Sequence, residues 1–179
     1  MNKYEELISE AQEKNITVVE KNFRSHAKGL CKGTKIGIRK DIPTQTEKSC
    51  VLAEEIGHYY TTYGNILDQK AVLDRKQELR ARMWAYDKKI GLIGLVKAFE
   101  HGCRSKQDII EYLDVTEEFL HDALEAYKNK YGNYVTVDNY VIYFEPALMI
   151  YVFNGDILPE ETVIRLLNME ISKELCPAM

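Results

Sequence analysis

The residues whose types and spacing bear chemistry lie in one short run, Glu54-Glu55-Ile56-Gly57-His58. On an α-helix Glu54 and His58, four residues apart, share one face. Glu55 stands about 100° from Glu54 and about 60° from His58 around the axis. Leu52, Ile56, Tyr59 and Tyr63 gather on the opposite side. The apolar stripe therefore faces a core, and the acidic–imidazole stripe faces something else. A carboxylate and an imidazole on one face can ligate a divalent cation, and a second carboxylate beside them can hold a proton. The same spacing also occurs as a plain surface pair worth a few tenths of a kcal/mol.

The helix that must carry this run starts at Thr44 or Thr46, either of which can cap it, and extends to about Tyr63, before Gly64. Zinc-peptidase helices of the form HExxH place two ligands at i and i+4 and a general base after the first. Here the base position holds Glu55, the second ligand position His58 and the first Glu54. A carboxylate in place of imidazole makes the site harder and more anionic, which admits Mn²⁺ or Fe²⁺ beside Zn²⁺. A third ligand is available on the next helix, expected over Ala71–Lys89, where Glu78 follows His58 by 20 residues. That spacing resembles the one in thermolysin-like enzymes. Ala81 and Ala85, at i+3 and i+7 from Glu78, allow the two helices to approach closely.

The remaining elements give an α+β class. A first helix carries Tyr4, Leu7, Ile8 and Ala11 at helical spacing. Strands are expected at Ile16–Val19 and Lys35–Arg39. Together with the two long helices they form a small sheet with zincin-like metal-binding helices. Leu92–Phe99, Lys106–Leu113 and Thr116–Lys130 read as three helices, the third capped by Asp114 with Glu117. A hairpin follows, with strands 134–137 and 140–144 about a two-residue turn, so this half has a winged-helix-like outline. The tail holds one helix, Glu160–Leu175. Net charge is +4 over residues 1–90, −5 over 91–145 and −3 over 146–179. The change of sign near residue 90 suggests a boundary between an α+β domain (1–90) that bears the candidate metal-binding helices and a helical winged-helix-like domain (91–145), with a tail (146–179) behind. No linker separates the first two, which are expected to pack on each other.

Composition narrows the function classes. The chain has 179 residues, 45% hydrophobic and 29% charged, with 10 Gly and 4 Pro, so low-complexity and fibrous classes are excluded. No run approaches the roughly 18 apolar residues of a membrane span. The charged start, MNKYEELISEAQEK, does not read as a signal peptide, and four scattered cysteines with no CxxC suit a reducing compartment. A cytoplasmic location is expected. The net charge of −4 gives no general attraction for nucleic acid.

The stretches Leu52–Ile66 (LAEEIGHYYTTYGNI) and Glu78–Gly91 (ELRARMWAYDKKIG) resemble the ImmA/IrrE family of metallopeptidases. In that family an HExxH helix is followed by a helix with an E-x-x-A-[N/R]-x-[F/W]-A signature, matched here by Glu78, Ala81, Arg82, Trp84 and Ala85. Members from phages and mobile elements often carry a helical segment resembling Asp114–Gly132 behind it. The resemblance covers about residues 1–145. It implies a cytoplasmic zinc-dependent endopeptidase that cleaves a helix-turn-helix transcriptional repressor. It makes Glu55 the base and His58 and Glu78 metal ligands, with Glu54 standing where the family usually has His.

Other candidates have plainer readings. Tyr59, Tyr60 and His26 are candidate oxyanion stabilisers, though Tyr59 falls on the core stripe. Cys50 suits a half-buried free thiol better than a soft ligand. His101 and His121 lack ligand spacing. The helix at Thr116–Lys130 carries Glu117, Glu118, Asp122 and Glu125, which repel phosphates, so direct DNA binding is disfavoured. The basic run Lys28–Lys40 is a solvated face or a guide for an acidic substrate segment. The alternative function is a non-catalytic repressor-binding module in which Glu54 marks a decayed metal site. Oligomeric state is left open: the tail helix caps the core or mediates self-association.

Overall fold

A computed structural model describes residues 1–62 and 72–152. The first helix, α1 (Lys3–Glu13), begins where Asn2 and Glu5 exchange side-chain-to-backbone bonds, and it buries Tyr4, Leu7 and Ala11. The chain reverses at Asn15 (φ 59°) and enters β1 (Thr17–Lys21). Two further strands, β2 (Gly29–Lys32) and β3 (Lys35–Arg39), complete a sheet of order β1-β3-β2. β1 runs parallel to β3, and β2 antiparallel to it. Alternation sends Ile36 and Ile38 inward, both fully buried. The strand expected at Ile16–Val19 starts one residue later and ends two residues later, with Ile16 buried ahead of the ladder. β2, within the basic run, was not anticipated.

The inner face of this sheet packs on α2 (Gln45–Thr62), whose first turn is capped by Thr44 Oγ1 accepting from the Glu47 N–H at 3.1 Å. α3 (Val72–Lys89) packs against α2, and Ala81 and Ala85 are fully buried between them. Gly57 is the tightest point: a methyl group there would collide with the Ala81 carbonyl. The helix is interrupted at Ile90 and Gly91 (φ 61°), and α4 (Gly91–Glu100) follows. α5 (Lys106–Leu113) and α6 (Glu117–Tyr131) come next. The last three strands, β4 (Tyr134–Val137), β5 (Tyr140–Tyr143) and β6 (Met149–Val152), form an antiparallel sheet in that order.

The α+β class therefore stands, with six helices and two three-stranded sheets among the described residues. The second sheet runs past residue 145, because β6 pairs with β5. One apolar core continues from Tyr4 to Phe144, and the Tyr86 and Phe119 rings meet edge-to-face at 5.0 Å between the two halves. A polar junction reinforces this contact. Lys89 Nζ donates to Ser49 Oγ at 2.7 Å and to the Asp114 carbonyl at 2.8 Å, and Thr46 Oγ1 donates to the Asp114 carboxylate.

One capping expectation is corrected. Asp114 is not the N-cap of α6; it sits in the left-handed region (φ 52°) and terminates α5. The N-cap is Thr116, which accepts from the Phe119 N–H at 3.2 Å. Only Val115 then separates the two caps. The expected tail helix Glu160–Leu175, along with Tyr63 and Gly64, lies outside the described residues. Among the described residues, no helix is long and apolar enough to cross a membrane.

Candidate active site

The site is built where α2 crosses α3. Leu52, Ala53 and Ile56 are buried in the core, so Glu54, Glu55 and His58 are turned to the half-buried side of α2. Small residues at the crossing (Gly57 against Ala81) let the functional side chains of the two helices reach each other. His58 Nε2 lies 3.3 Å from Glu78 Oε2. The other oxygen of Glu78 accepts from Arg82 Nε at 2.8 Å, one turn along α3. Arg82 Nη1 in turn lies 3.9 Å from Asp122 Oδ2 on α6.

Glu55 points towards β2. It accepts a bond from the backbone N–H of Cys31, and a side chain at Gly29 would run into its carboxylate. β2 is an edge strand, so this N–H has no partner strand and the carboxylate supplies one. Burial pushes the Glu55 carboxyl up to about 7, with further upward pressure from Glu54 and Glu78. A group of that character is suited to taking up and returning a proton near neutrality. Glu54 is also raised, first by burial; Arg82 opposes the rise while Glu78, Asp122 and Glu118 add to it. The Cys31 thiol, near Glu55, is raised to about 11 by burial and by that carboxylate.

α6 borders the site through the half-buried Asp122, while Glu117, Glu118 and Glu125 remain exposed. Glu118 and Asp122 act on Glu54, and Asp122 approaches Arg82.

The residues fit an ion in part. Two ligands about 2.1 Å from one tetrahedral Zn²⁺ stand about 3.4 Å apart, and the His58–Glu78 separation matches that edge. Glu54 does not complete the set in this arrangement: among the described residues, no three His, Cys, Asp or Glu side chains converge to hold an ion. Arg82 bonds Glu78 and opposes the rise of Glu54.

The other candidates lie in packing contacts or on the surface. Tyr59 packs against the core, and Tyr60 stacks on Trp84 with ring centroids 5.1 Å apart. His26 is exposed in the loop before β2, and His121 is exposed on α6. His101 stacks on Tyr112 at 4.7 Å. Cys50 is buried and free, its thiol raised chiefly by burial. Sequence reasoning missed the Cys31 N–H, which depends on an unrecognised strand, and the α6 border, which depends on tertiary packing. Arg82 was legible as an i+4 partner of Glu78, and Gly57 as a glycine inside a helix. No family model, curated protein or solved structure matches the chain.

Proposed function

We propose that the chain is a cytoplasmic, metal-dependent endopeptidase whose substrate is a helix-turn-helix repressor of a phage or mobile element, so that cleavage derepresses the genes it controls. The observation that carries this reading is the approach of His58 to Glu78 at a ligand–ligand distance, with the proton-holding Glu55 on the same helix. In it, α2 and α3 act as a zincin-like helix pair within residues 1–90, and residues 91–145 as a winged-helix-like segment that borders the site.

His58 and Glu78 would hold the ion, Zn²⁺ first and Mn²⁺ or Fe²⁺ as alternatives, with Glu54 the third side chain offered by the motif. When bound, the ion supplies Lewis acidity towards a scissile carbonyl and towards water. Glu55 takes a proton from the attacking water and delivers it to the leaving nitrogen. Its bond from the Cys31 N–H orients the carboxylate. An extended polypeptide laid along the edge of β2 would run past Glu55 and pair with the outward backbone groups other than the Cys31 N–H, which Glu55 occupies. Arg82 steadies Glu78 through its Oε1.

The test uses the full chain with the repressor encoded beside its gene. Wild type should contain stoichiometric metal and cut the repressor; Glu55→Gln should keep the metal and lose cleavage. Cleavage retained by Glu55→Gln removes Glu55 as the base. A second reading, a non-catalytic module that sequesters the repressor, is favoured by the engagement of Glu78 with Arg82. It requires a stable complex, no metal and indifference to Glu55→Gln.

A further inference from the structure

The outer face of the first sheet carries a charge pattern that the candidate site does not use. Between residues 14 and 40 the chain has eight Lys or Arg and one acid, Glu20. Glu20 is taken up by Lys48 at 2.8 Å. Register places the outward residues in rows across the three strands: Thr17, Lys35 and Lys32; Val19, Gly37 and Leu30; Lys21 and Arg39. The middle row is apolar. Val19 is 45% exposed and Leu30 52%, and Phe23 folds back over Gly37 between them. The apolar strip spans three strands, about 9.5 Å, and each cationic row lies about 6.7 Å to one side of it. Arg39 is turned to the Ser25 and Ala27 carbonyls. Lys21, Lys32 and Lys35 enter no ion pair among the described residues.

We propose that this face docks an acidic amphipathic segment of a partner polypeptide, with apolar side chains on the Val19–Phe23–Leu30 strip and carboxylates on the flanking lysines. Charge complementarity selects an anionic partner, and the strip selects a polypeptide over nucleic acid. Val19 and Leu30 are aliphatic and give bases no stacking surface. The Phe23 ring already has the Lys21 ammonium 5.4 Å from its centroid. The inner face of the same sheet packs on α2, so the docking face lies across the sheet from that helix and is independent of the proposed peptidase reaction.

Fluorescence anisotropy on the full chain tests this with three labelled probes: an amphipathic helical peptide of about 15 residues with a Leu stripe flanked by Glu, an oligoglutamate of equal charge, and an oligothymidylate of similar length. The Leu/Glu peptide should bind at least tenfold more tightly than the oligoglutamate, and weaken on adding salt. The double variant Lys32→Glu/Lys35→Glu should weaken it at least tenfold, and Leu30→Ser at least threefold, with circular dichroism and melting temperature unchanged. Lys21→Glu, on the opposite row, provides an independent charge reversal if the double variant is unstable. Absence of saturable peptide binding, affinity indifferent to the reversals, equal binding of the oligoglutamate, or tighter binding of the oligothymidylate would each overturn the proposal.

Discussion

His58 Nε2 and Glu78 Oε2 stand 3.3 Å apart across two helices whose tightest crossing is a glycine against a backbone carbonyl. Neither group is held by its own helix alone. The imidazole and the carboxylate meet because the axes come close, and Arg82 fixes the far oxygen of Glu78. On the proposed reading, His58→Ala and Glu78→Gln should each lower bound metal from stoichiometric to a small fraction. Elemental analysis of the purified protein after dialysis measures this. Full retention in either variant would remove that residue from the ligand set.

Gly57→Ala should destabilise the fold by about 1–3 kcal/mol, because the added methyl meets backbone that cannot swing aside. Gly94→Ala is the control. There a Cβ finds Leu113 Cδ2 at 3.5 Å, an ordinary contact, so the change should be neutral or stabilise by up to about 1 kcal/mol through helix propensity. Thermal melts of the two variants should move in opposite directions or differ by several degrees.

Lys89→Met should cost about 1–3 kcal/mol in urea denaturation. The ammonium satisfies Ser49 Oγ and the Asp114 carbonyl together, and Ser49 is fully buried. A methionine fills similar space but leaves both acceptors unmatched. An unchanged midpoint would mean that water replaces the ammonium.

The Glu20–Lys48 pair sets a pH dependence. A hydrogen bond from Lys48 holds the Glu20 carboxyl below the usual carboxylate range. A lowered folded value means the contribution is present above the ordinary glutamate pKa of about 4.3 and is lost as pH falls through the folded value. Glu20 is partly exposed, so the effect should stay below about 1 kcal/mol. Urea midpoints between about pH 5 and pH 3 should fall more steeply in the wild type than in Lys48→Met. Parallel slopes would assign the acid sensitivity to other groups.

Where periodicity is strong, the sequence was readable. α1, α5 and β3 lie where their patterns place them, and α2 and α3 to within a residue or two of their described ends. The two missed strands are four residues long: Gly29–Lys32 opens on a glycine and holds no β-branched residue, and Met149–Val152 follows a proline-containing turn that hides it. The Asp114 capping error has a local cause. Asp-Val-Thr-Glu-Glu offers two oxygen-bearing caps, and only the need to end α5 at a left-handed residue decides between them. Within the candidate site, one helical period carried Glu54 and His58, and a spacing of 20 carried Glu78. The Cys31 N–H and the carboxylates of Glu118 and Asp122 come from elements far away in the chain, so no local pattern encodes them.

The border that α6 gives the α2–α3 crossing also orders events in time. A ribosome that has released only residues up to Lys89 has made both helices of the crossing, yet Asp122 still lies ahead of them in translation. Arg82 at that stage lacks its Asp122 partner. The crossing therefore gains its Asp122 neighbour only once α5 and the Thr116 cap have also been made.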